Sequence, residues 1–373
     1  MKFGAPPAEK REKNDMNITI ILPSLDPDEK LVQTVDGLLA EGFDDVVVVN
    51  DGSGETHRAP FAEAAERPGV TVLTHEKNRG KGAALKTAFA FVAEHRPNTA
   101  GVVTVDGDGQ HRPADVKRLA EALLGETQPT LWLGVRDFSL PNVPPRSRAG
   151  NRTTLAILRL LCGVRVTDSQ TGLRAAPASL LPALCRVKGE RYEYETEMLL
   201  WAQREGIPFG EIGIETVYID ENQTSHYRPF RDSMRVLGVI LRGLGRYISS
   251  SLLCFLVDEG LFTLLNLLLA GAAAGETEER LAVAVVGARL VSSLLNYVLN
   301  RRVVFRRGEA VKRSLWRYYA LAVVQVAASY GLLTLLSNLL RATPAVETPL
   351  KLLVDFLLFL ASYQIQMRWV FKK

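Results

Sequence analysis

Over the first two-thirds of the chain, short β-branched and aliphatic runs alternate with helical periodicity; after about Arg246, long apolar runs take over. Asn17–Pro23 (NITIILP), Asp44–Val49, Val70–Thr74, Val102–Val105 and Thr130–Leu133 read as buried strands. An amphipathic helix is expected near Lys30–Glu41, a second after the Gly-rich turn at Asn78–Gly82, and a third from Glu193 to Arg204. Glu215–Asp220 (ETVYID) reads as a late strand. Strands alternating with helices predict a mostly parallel sheet whose loops gather on one edge. That edge is where open α/β sheets bind ligands.

From Arg228 the cations Arg231, Arg235, Arg242 and Arg246 fall close to one helical face, with Met234, Leu237, Val239, Ile240, Leu241 and Leu244 supplying apolar surface. This is the pattern of a helix lying on a lipid surface. Four candidate spans follow, about Tyr247–Ala270, Leu281–Leu299, Tyr318–Leu340 and Leu350–Val370. Each is near the roughly 20 residues a bilayer requires. Arg301, Arg302, Arg306, Arg307, Lys312 and Arg313 lie between the second and third spans, and Lys372 and Lys373 follow the fourth. The other two loops are acidic, carrying Glu276, Glu278 and Glu279 or Glu347. With the positive-inside rule, this predicts an integral membrane protein of the plasma membrane whose α/β part and both termini are cytoplasmic. NYVLNRRVVFRR (Asn296–Arg307) aligns with SYQIQMRWVFKK (Ser362–Lys373), and the Gly260 run LFTLL with the Gly331 run LLTLL, so two related helical hairpins are expected. Asp258, Arg289 and Asp355 fall in or near spans, where charges are paired or functional.

The expected division is a polar tail (1–16), an α/β domain (17–227), an interfacial helix (228–246) and a transmembrane domain (247–373). A net charge of +4 over 373 residues is too mild to argue for nucleic acid. Cys162, Cys185 and Cys254 are scattered and odd in number, which gives no disulfide framework. The polar N-terminus shows no apolar core of a cleaved signal.

The chemistry centres on VVTVDGDGQHRP (Val102–Pro113), where a strand delivers Asp106 and Asp108 to its carboxyl end. Alternate strand residues share a face, so two carboxylates and Gln110 make an oxygen-only site suited to Mg²⁺ or Mn²⁺ shared with phosphates. Read alone, the stretch is equally an acidic turn. Asp51, in NDGS at a strand tip, can accept hydrogen bonds from a base or ribose. Arg79 and Lys81, in NRGKG before a helix, form a natural anion site. Each of these is also an ordinary turn or basic loop when taken singly. His226 and Arg228 sit where substrate phosphates could be clamped near the bilayer. Glu193 and Glu195 read as pocket lining or arginine partners in preference to a general base.

NDGS, NRGKGAAL, DGDGQH and DSQTGLR (Asp168–Arg174), in this order, resemble the family 2 glycosyltransferases of GT-A fold, in the branch of dolichol- and polyprenyl-phosphate sugar synthases. The resemblance implies a Rossmann-like nucleotide-diphospho-sugar transferase domain. It implies that Asp106, Asp108 and Gln110 hold Mg²⁺ or Mn²⁺ and the donor diphosphate, and that Pro23, Asp26 and Asp51 meet the nucleotide. It further implies phosphate contacts from Arg136 and Arg148, and an acceptor pocket built by Asp168, Ser169 and Arg174. Two departures stand out: the family's aromatic-Asn-Glu is Leu25-Asp26-Pro27 here, and the middle of its DAD is Gly107. The duplicated four-helix part, with its NRxxVF-like ends, resembles the GtrA-like domain often fused to such transferases. Gln366-Met-Arg-Trp369 is one residue short of the QxxRW of processive polysaccharide synthases and belongs to the repeat.

The expectation is an inverting transferase that moves a hexose from a nucleotide sugar of GDP-mannose or UDP-glucose type to a dolichyl or undecaprenyl phosphate. A homo-oligomer is compatible with it. The rival readings are a lipid-linked sugar transporter with an accessory soluble domain and a processive polysaccharide synthase.

Overall fold

Five of the apolar runs form strands where expected, and two further strands complete one sheet. The strands are Ile18–Ser24 (β1), Val46–Asn50 (β2), Val70–Thr74 (β3), Gly101–Thr104 (β4), Leu131–Arg136 (β5), Arg174–Pro177 (β6) and Phe209–Ile214 (β7). Their order is β3-β2-β1-β4-β6-β5-β7, and every pairing is parallel except those of β6, which runs antiparallel to both β4 and β5. β6 (RAAP) and β7 (FGEIGI) carry no apolar run long enough to register as strands in the sequence. The computed structural model describes residues 17–140, 143, 145–215, 229–271, 277–305, 310–340 and 344–371. The tail 1–16, residues 216–220 of the expected late strand, and His226 and Arg228 lie outside the described residues.

The chain forms two compact units, Met1–Arg159 with Val164–Val239, and Leu160–Gly163 with Ile240–Lys373. In the first, helices Lys30–Ala40 (α1), Ala59–Ala65 (α2), Lys81–His95 (α3), Pro113–Leu124 (α4), Pro145–Cys162 (α5), Leu181–Leu184 (α6) and Glu193–Glu205 (α7) connect the strands. The central strands β1, β2 and β4 are buried along nearly their whole length, as a parallel sheet covered on both faces requires. Leu31, Val35 and Leu38 of α1 and Val116 and Leu119 of α4 pack with Ile20, Leu22, Val48 and Val103 in one apolar core.

Four helices satisfy the length and apolarity of membrane spans: Pro229–Gly271 (α8), which enters the second unit at Ile240, and Thr277–Leu299 (α9), Val311–Leu340 (α10) and Pro344–Ile365 (α11) within that unit. The stretch 228–246 is not a separate helix, because α8 runs unbroken for 43 residues from Pro229 through the first span. No proline interrupts it after its first turn, and isolated glycines do not end a helix. Both α9 and α11 end in a π-helical turn, at Asn300–Val304 and Gln366–Val370, closed by Phe305 N–H to Asn300 O and Phe371 N–H to Gln366 O.

The expected repeat is visible in the contacts. Tyr297 of one hairpin lies 5.9 Å from Phe371 of the other, Tyr363 lies 5.6 Å from Phe305, and the two phenylalanines stack at 5.2 Å. Asn300 and Gln366, equivalent in the alignment, hydrogen-bond each other at 3.1 Å. Ser250 donates to Asn300, while Gln366 donates to Tyr247 and Ser362. These buried polar groups are thereby matched inside an apolar bundle, where an unmatched one is costly. Arg289 pairs with Asp258 at 3.0 Å, and Ser292 donates to the same carboxylate at 2.7 Å. Asp355 instead takes Lys351 and Ser329.

Asn300→Ala and Gln366→Ala will each lower the thermal midpoint of the detergent-solubilised protein. Their double-mutant cycle will return a coupling of about 1 kcal/mol, the scale of a hydrogen bond between membrane helices.

Candidate active site

The chain leaves β1 for β2 and β3 on one side and returns as β4 on the other, so a crevice opens at the carboxyl ends of β1 and β4. Asp106 and Asp108 follow β4 directly into it. Gly107 packs closely between them: a Cβ there would lie 2.5 Å from Ser24 Oγ at the end of β1, so a larger residue needs that hydroxyl to rotate away. Antiparallel β6 pairs Arg174 with Thr104 and so carries the DSQTG turn onto the motif. Thr104 Oγ1 donates to Gly172 O at 2.8 Å, and a Cβ on Gly172 would stand 2.3 Å from an Asp106 carboxylate oxygen.

Lys81, the first residue of α3, reaches into this crevice. Its ammonium lies 2.7 Å from Asp106 Oδ1 and 2.9 Å from Glu195 Oε1, the latter carried by α7. His111 Nε2 is 3.7 Å from Asp106 Oδ2, and its Nδ1 is buried without a hydrogen-bond partner. Burial by itself would raise Asp106, but the Lys81 ammonium and the His111 ring override it and hold this carboxyl well below the ordinary range. Burial likewise works against the Lys81 charge, yet the two carboxylates keep it above its usual value. Asp108 goes the other way: burial and the adjacent Asp106 charge push it up, while its Oδ1 accepts only the Gln110 N–H, at 3.1 Å. Tyr192, beside the cluster, is raised by burial to about 12.

The loop before α3 differs from the open anion site expected of it. Asp51 is 3% exposed, and its carboxylate accepts the N–H groups of Arg79 and Gly80 at 2.9 and 2.7 Å. His75 Nδ1 completes the set at 2.7 Å, with Nε2 on Thr87 Oγ1 at 2.9 Å. Two N–H groups ahead of α3 are therefore held by an anion belonging to the protein, Asp51, which shapes the loop. A further N–H in the first turn, that of Ala83, donates to Glu190 O. Gly80 (φ 105°) and Gly82 admit this segment, where a Cβ would meet Glu190 O and Tyr194 Cβ at about 2.5 Å. Asp26, in the left-handed region at φ 44°, accepts from Gly54 N–H through its carboxylate and donates its own N–H to Ser53 Oγ. Pro23 is half-buried in β1.

On the acceptor side the expected cations are also committed. Arg136 grips Asp168 through Nε and Nη2 at 2.7 and 3.1 Å, and Asp168 is fully buried. Arg174 is buried too and donates to the carbonyls of Thr171, Glu195 and Ser169, with burial drawing its pKa down. The Arg174 guanidinium is thus committed to carbonyls that the fold has desolvated, whereas Arg136, though held by Asp168, still borders a cavity. Ser169 is buried with an unpartnered hydroxyl. Arg148 donates to Leu140 O but is exposed, and with Arg152 it lines a cavity of about 520 Å³ together with Arg136, Phe138 and Asn151. A second cavity, about 540 Å³, is lined by Lys77, Arg79, Arg191 and Arg235.

Sequence reasoning missed the bridging role of Lys81, the internal role of Asp51, and the parts of His75, His111, Tyr192 and Gly172. His75 and His111 adjoin recognised motifs and could have been flagged; nothing local marks Tyr192.

Residues 19–165 match the family model described as glycosyl transferase family 2, and residues 239–371 match the GtrA/DPMS transmembrane domain. An uncharacterized protein of Methanocaldococcus jannaschii is 33% identical over 213 residues, covering 56% of this chain and 85% of the relative. The UDP-N-acetylglucosamine–dolichyl-phosphate N-acetylglucosaminyltransferase of Methanococcus voltae is 29% identical, covering 55% and 88%. The undecaprenyl-phosphate mannosyltransferase of Micrococcus luteus is 29% identical, covering 54% and 84%. Among solved structures, glucosyl-3-phosphoglycerate synthase from Mycobacterium tuberculosis, in complex with Mn²⁺ and UDP, aligns at 19% identity and a TM-score of 0.43. That alignment covers 65% of this chain and 86% of the other. Sheet, acidic crevice and apolar helices thus define a membrane-bound α/β transferase. The chain belongs to glycosyl transferase family 2, in its polyprenyl-phosphate sugar group, and carries the GtrA/DPMS transmembrane domain. These matches do not favour the transporter or the processive synthase.

Two substitutions test these contacts. Asp51→Ala will cost about 2–3 kcal/mol in denaturant unfolding, because two buried N–H groups lose a charged acceptor. Gly172→Ala will lower the melting temperature and also cost about 10²-fold in turnover, by displacing the Asp106 carboxylate from its Lys81 partner.

Proposed function

We propose that the protein transfers a hexose from a nucleoside-diphosphate sugar to a polyprenyl phosphate, with inversion at the anomeric carbon. The observation that carries this reading is the pair Asp106 and Asp108 at the β1/β4 crevice, in a chain whose other unit consists of apolar membrane-length helices. Those helices keep the enzyme where a polyprenyl lipid resides.

The crevice residues fit a divalent cation. The donor set is all oxygen, and burial together with the adjacent Asp106 charge pushes Asp108 up, which an added cation would relieve. Asp106, Asp108 and Gln110 would hold Mg²⁺ or Mn²⁺, which when bound neutralises charge on the departing diphosphate.

The remaining work falls to the chain itself. A phosphate monoester is largely ionised near neutral pH, its second pKa being about 6, so the nucleophile needs no protein base. Glu195, ion-paired with Lys81, is accordingly not asked to serve as one. Arg148 and Arg152, exposed in the cavity beside the carboxyl end of β5, supply cations for the acceptor phosphate, while Arg136 and Asp168 brace the wall behind them. Pro23 and Asp26 line the nucleotide side, where the Asp26–Ser53 contacts fix the loop after β1. The catalytic unit and both termini are assigned to the cytoplasmic side by the basic loop between α9 and α10.

The test is purified protein in detergent with a panel of nucleotide sugars and one short polyprenyl phosphate, the lipid product being read by mass spectrometry. One donor will give a lipid-linked hexose; chelating divalent cations will abolish it, and Asp108→Ala will lower turnover by about 10²–10³-fold. Lipid movement between leaflets without sugar transfer would overturn the reading.

A further inference from the structure

The cluster around Asp106 holds one more charge than a simple cation site needs. Asp106 Oδ1 has a cationic partner already, the Lys81 ammonium at 2.7 Å, and the other oxygen faces His111 at 3.7 Å. The backbone at Gly172 walls the carboxylate in, a Cβ there standing 2.3 and 2.7 Å from its two oxygens, so it has little room to turn and serve two cations. Lys81 cannot withdraw as a whole either. It begins α3, and the preceding Gly80 N–H is tied to Asp51 at 2.7 Å, while Ala83 N–H is tied to Glu190 O at 2.9 Å. What can move is the flexible four-carbon stem, and a second carboxylate, Glu195 Oε1, waits 2.9 Å from the ammonium. Glu195 is itself held on the first turn of α7, buried, with Tyr194 of the same turn packed on Gly82.

We propose that Lys81 is a placeholder for the divalent cation: its ammonium neutralises Asp106 while the site is empty of metal and is retained by Glu195 alone once a metal takes Asp106. The inference rests on the reading of Asp106 and Asp108 as cation ligands given above. Two cations on one carboxylate oxygen repel, so Lys81 and the metal compete for Oδ1, and Glu195 sets the terms of the competition by offering Lys81 somewhere else to bind. Lys81 and Glu195 are thus positioning residues that tune metal affinity without touching the reacting atoms. A consequence is that the protein without donor holds its cation weakly, and the diphosphate oxygens of the nucleotide sugar supply the ligands that tip the exchange.

The experiment is titration of Mn²⁺ into the full-length protein in detergent, without nucleotide, following the electron paramagnetic resonance signal of free Mn²⁺. Lys81→Met will tighten Mn²⁺ binding by about tenfold, because the competitor is gone. Glu195→Gln will weaken it by about tenfold, because Lys81 is then left with Asp106 as its only carboxylate. Asp108→Asn will abolish binding. A merely structural triad would move both variants the same way, towards weaker binding, and that outcome or an unchanged affinity in both overturns the placeholder. If Lys81→Met does not fold, as judged by circular dichroism, the Glu195→Gln arm decides alone: unchanged or tighter Mn²⁺ binding there overturns the proposal. Wild-type protein that binds no Mn²⁺, or binds it equally well in Asp108→Asn, would sink the cation site itself and the placeholder with it; normal Asp108-dependent binding with the wrong signs at Lys81 and Glu195 would sink only the latter.

Discussion

Carboxylates crowded at the edge of a sheet must be neutralised from within, and the loops of the catalytic unit are arranged by that need. Asp51 collects the N–H groups of Arg79 and Gly80, Asp106 takes Lys81, and Asp168 takes Arg136. Each of these contacts ties one loop to the next. Asp26 and Ser53 join the loops after β1 and β2, Asp51 joins those after β2 and β3, and Lys81 joins the start of α3 to the motif after β4. Removing charge from any one of them leaves a buried partner exposed to its full desolvation penalty. Asp108 differs: burial and the Asp106 charge push it up, and Lys81 and His111 act on it without outweighing them.

The membrane unit meets a related constraint by duplication. Two hairpins of related sequence end in π-helical turns, and their equivalent residues Asn300 and Gln366 satisfy each other. The aromatic pairs are reciprocal as well, tyrosine of each hairpin against phenylalanine of the other. A polar side chain in an apolar bundle needs a partner, and a repeat supplies one by symmetry. The charged residues follow suit, Asp258 with Arg289 in one hairpin and Asp355 with Lys351 in the other. This leaves the outward faces apolar, Leu267 and Leu339 being 66% and 74% exposed, as surfaces against lipid should be.

Much of this could be read before any coordinates. Strands β1 to β5 followed from apolar runs, because a sheet covered on both faces needs continuous hydrophobic strands. The four spans followed from length and apolarity, and the repeat from direct alignment. The place of the acidic motif followed from the strand before it, but β4 ends at Thr104 and Asp106 and Asp108 lie in the turn beyond it, so strand alternation does not set their facing. These are properties of contiguous sequence, and local physics suffices for them.

What tertiary structure decided is which charges face outward and which are consumed. Arg136, Arg174, Lys81 and Asp51 all looked like ligands for a substrate, and each turned out to be matched to a group far away in sequence: Asp168, Glu195 O, Asp106 and Gly80 N–H. Strand β6 was invisible because four residues with an arginine and a proline carry no periodic signal, yet its antiparallel insertion is what lays Gly172 on Asp106. Likewise α8 swallowed the helix expected to stand alone, because nothing in the chain breaks it. The type of a side chain says what it can bind. Only the packing says whether the protein has bound it first, because pairing of buried charges is settled by the distance between residues that the sequence keeps apart.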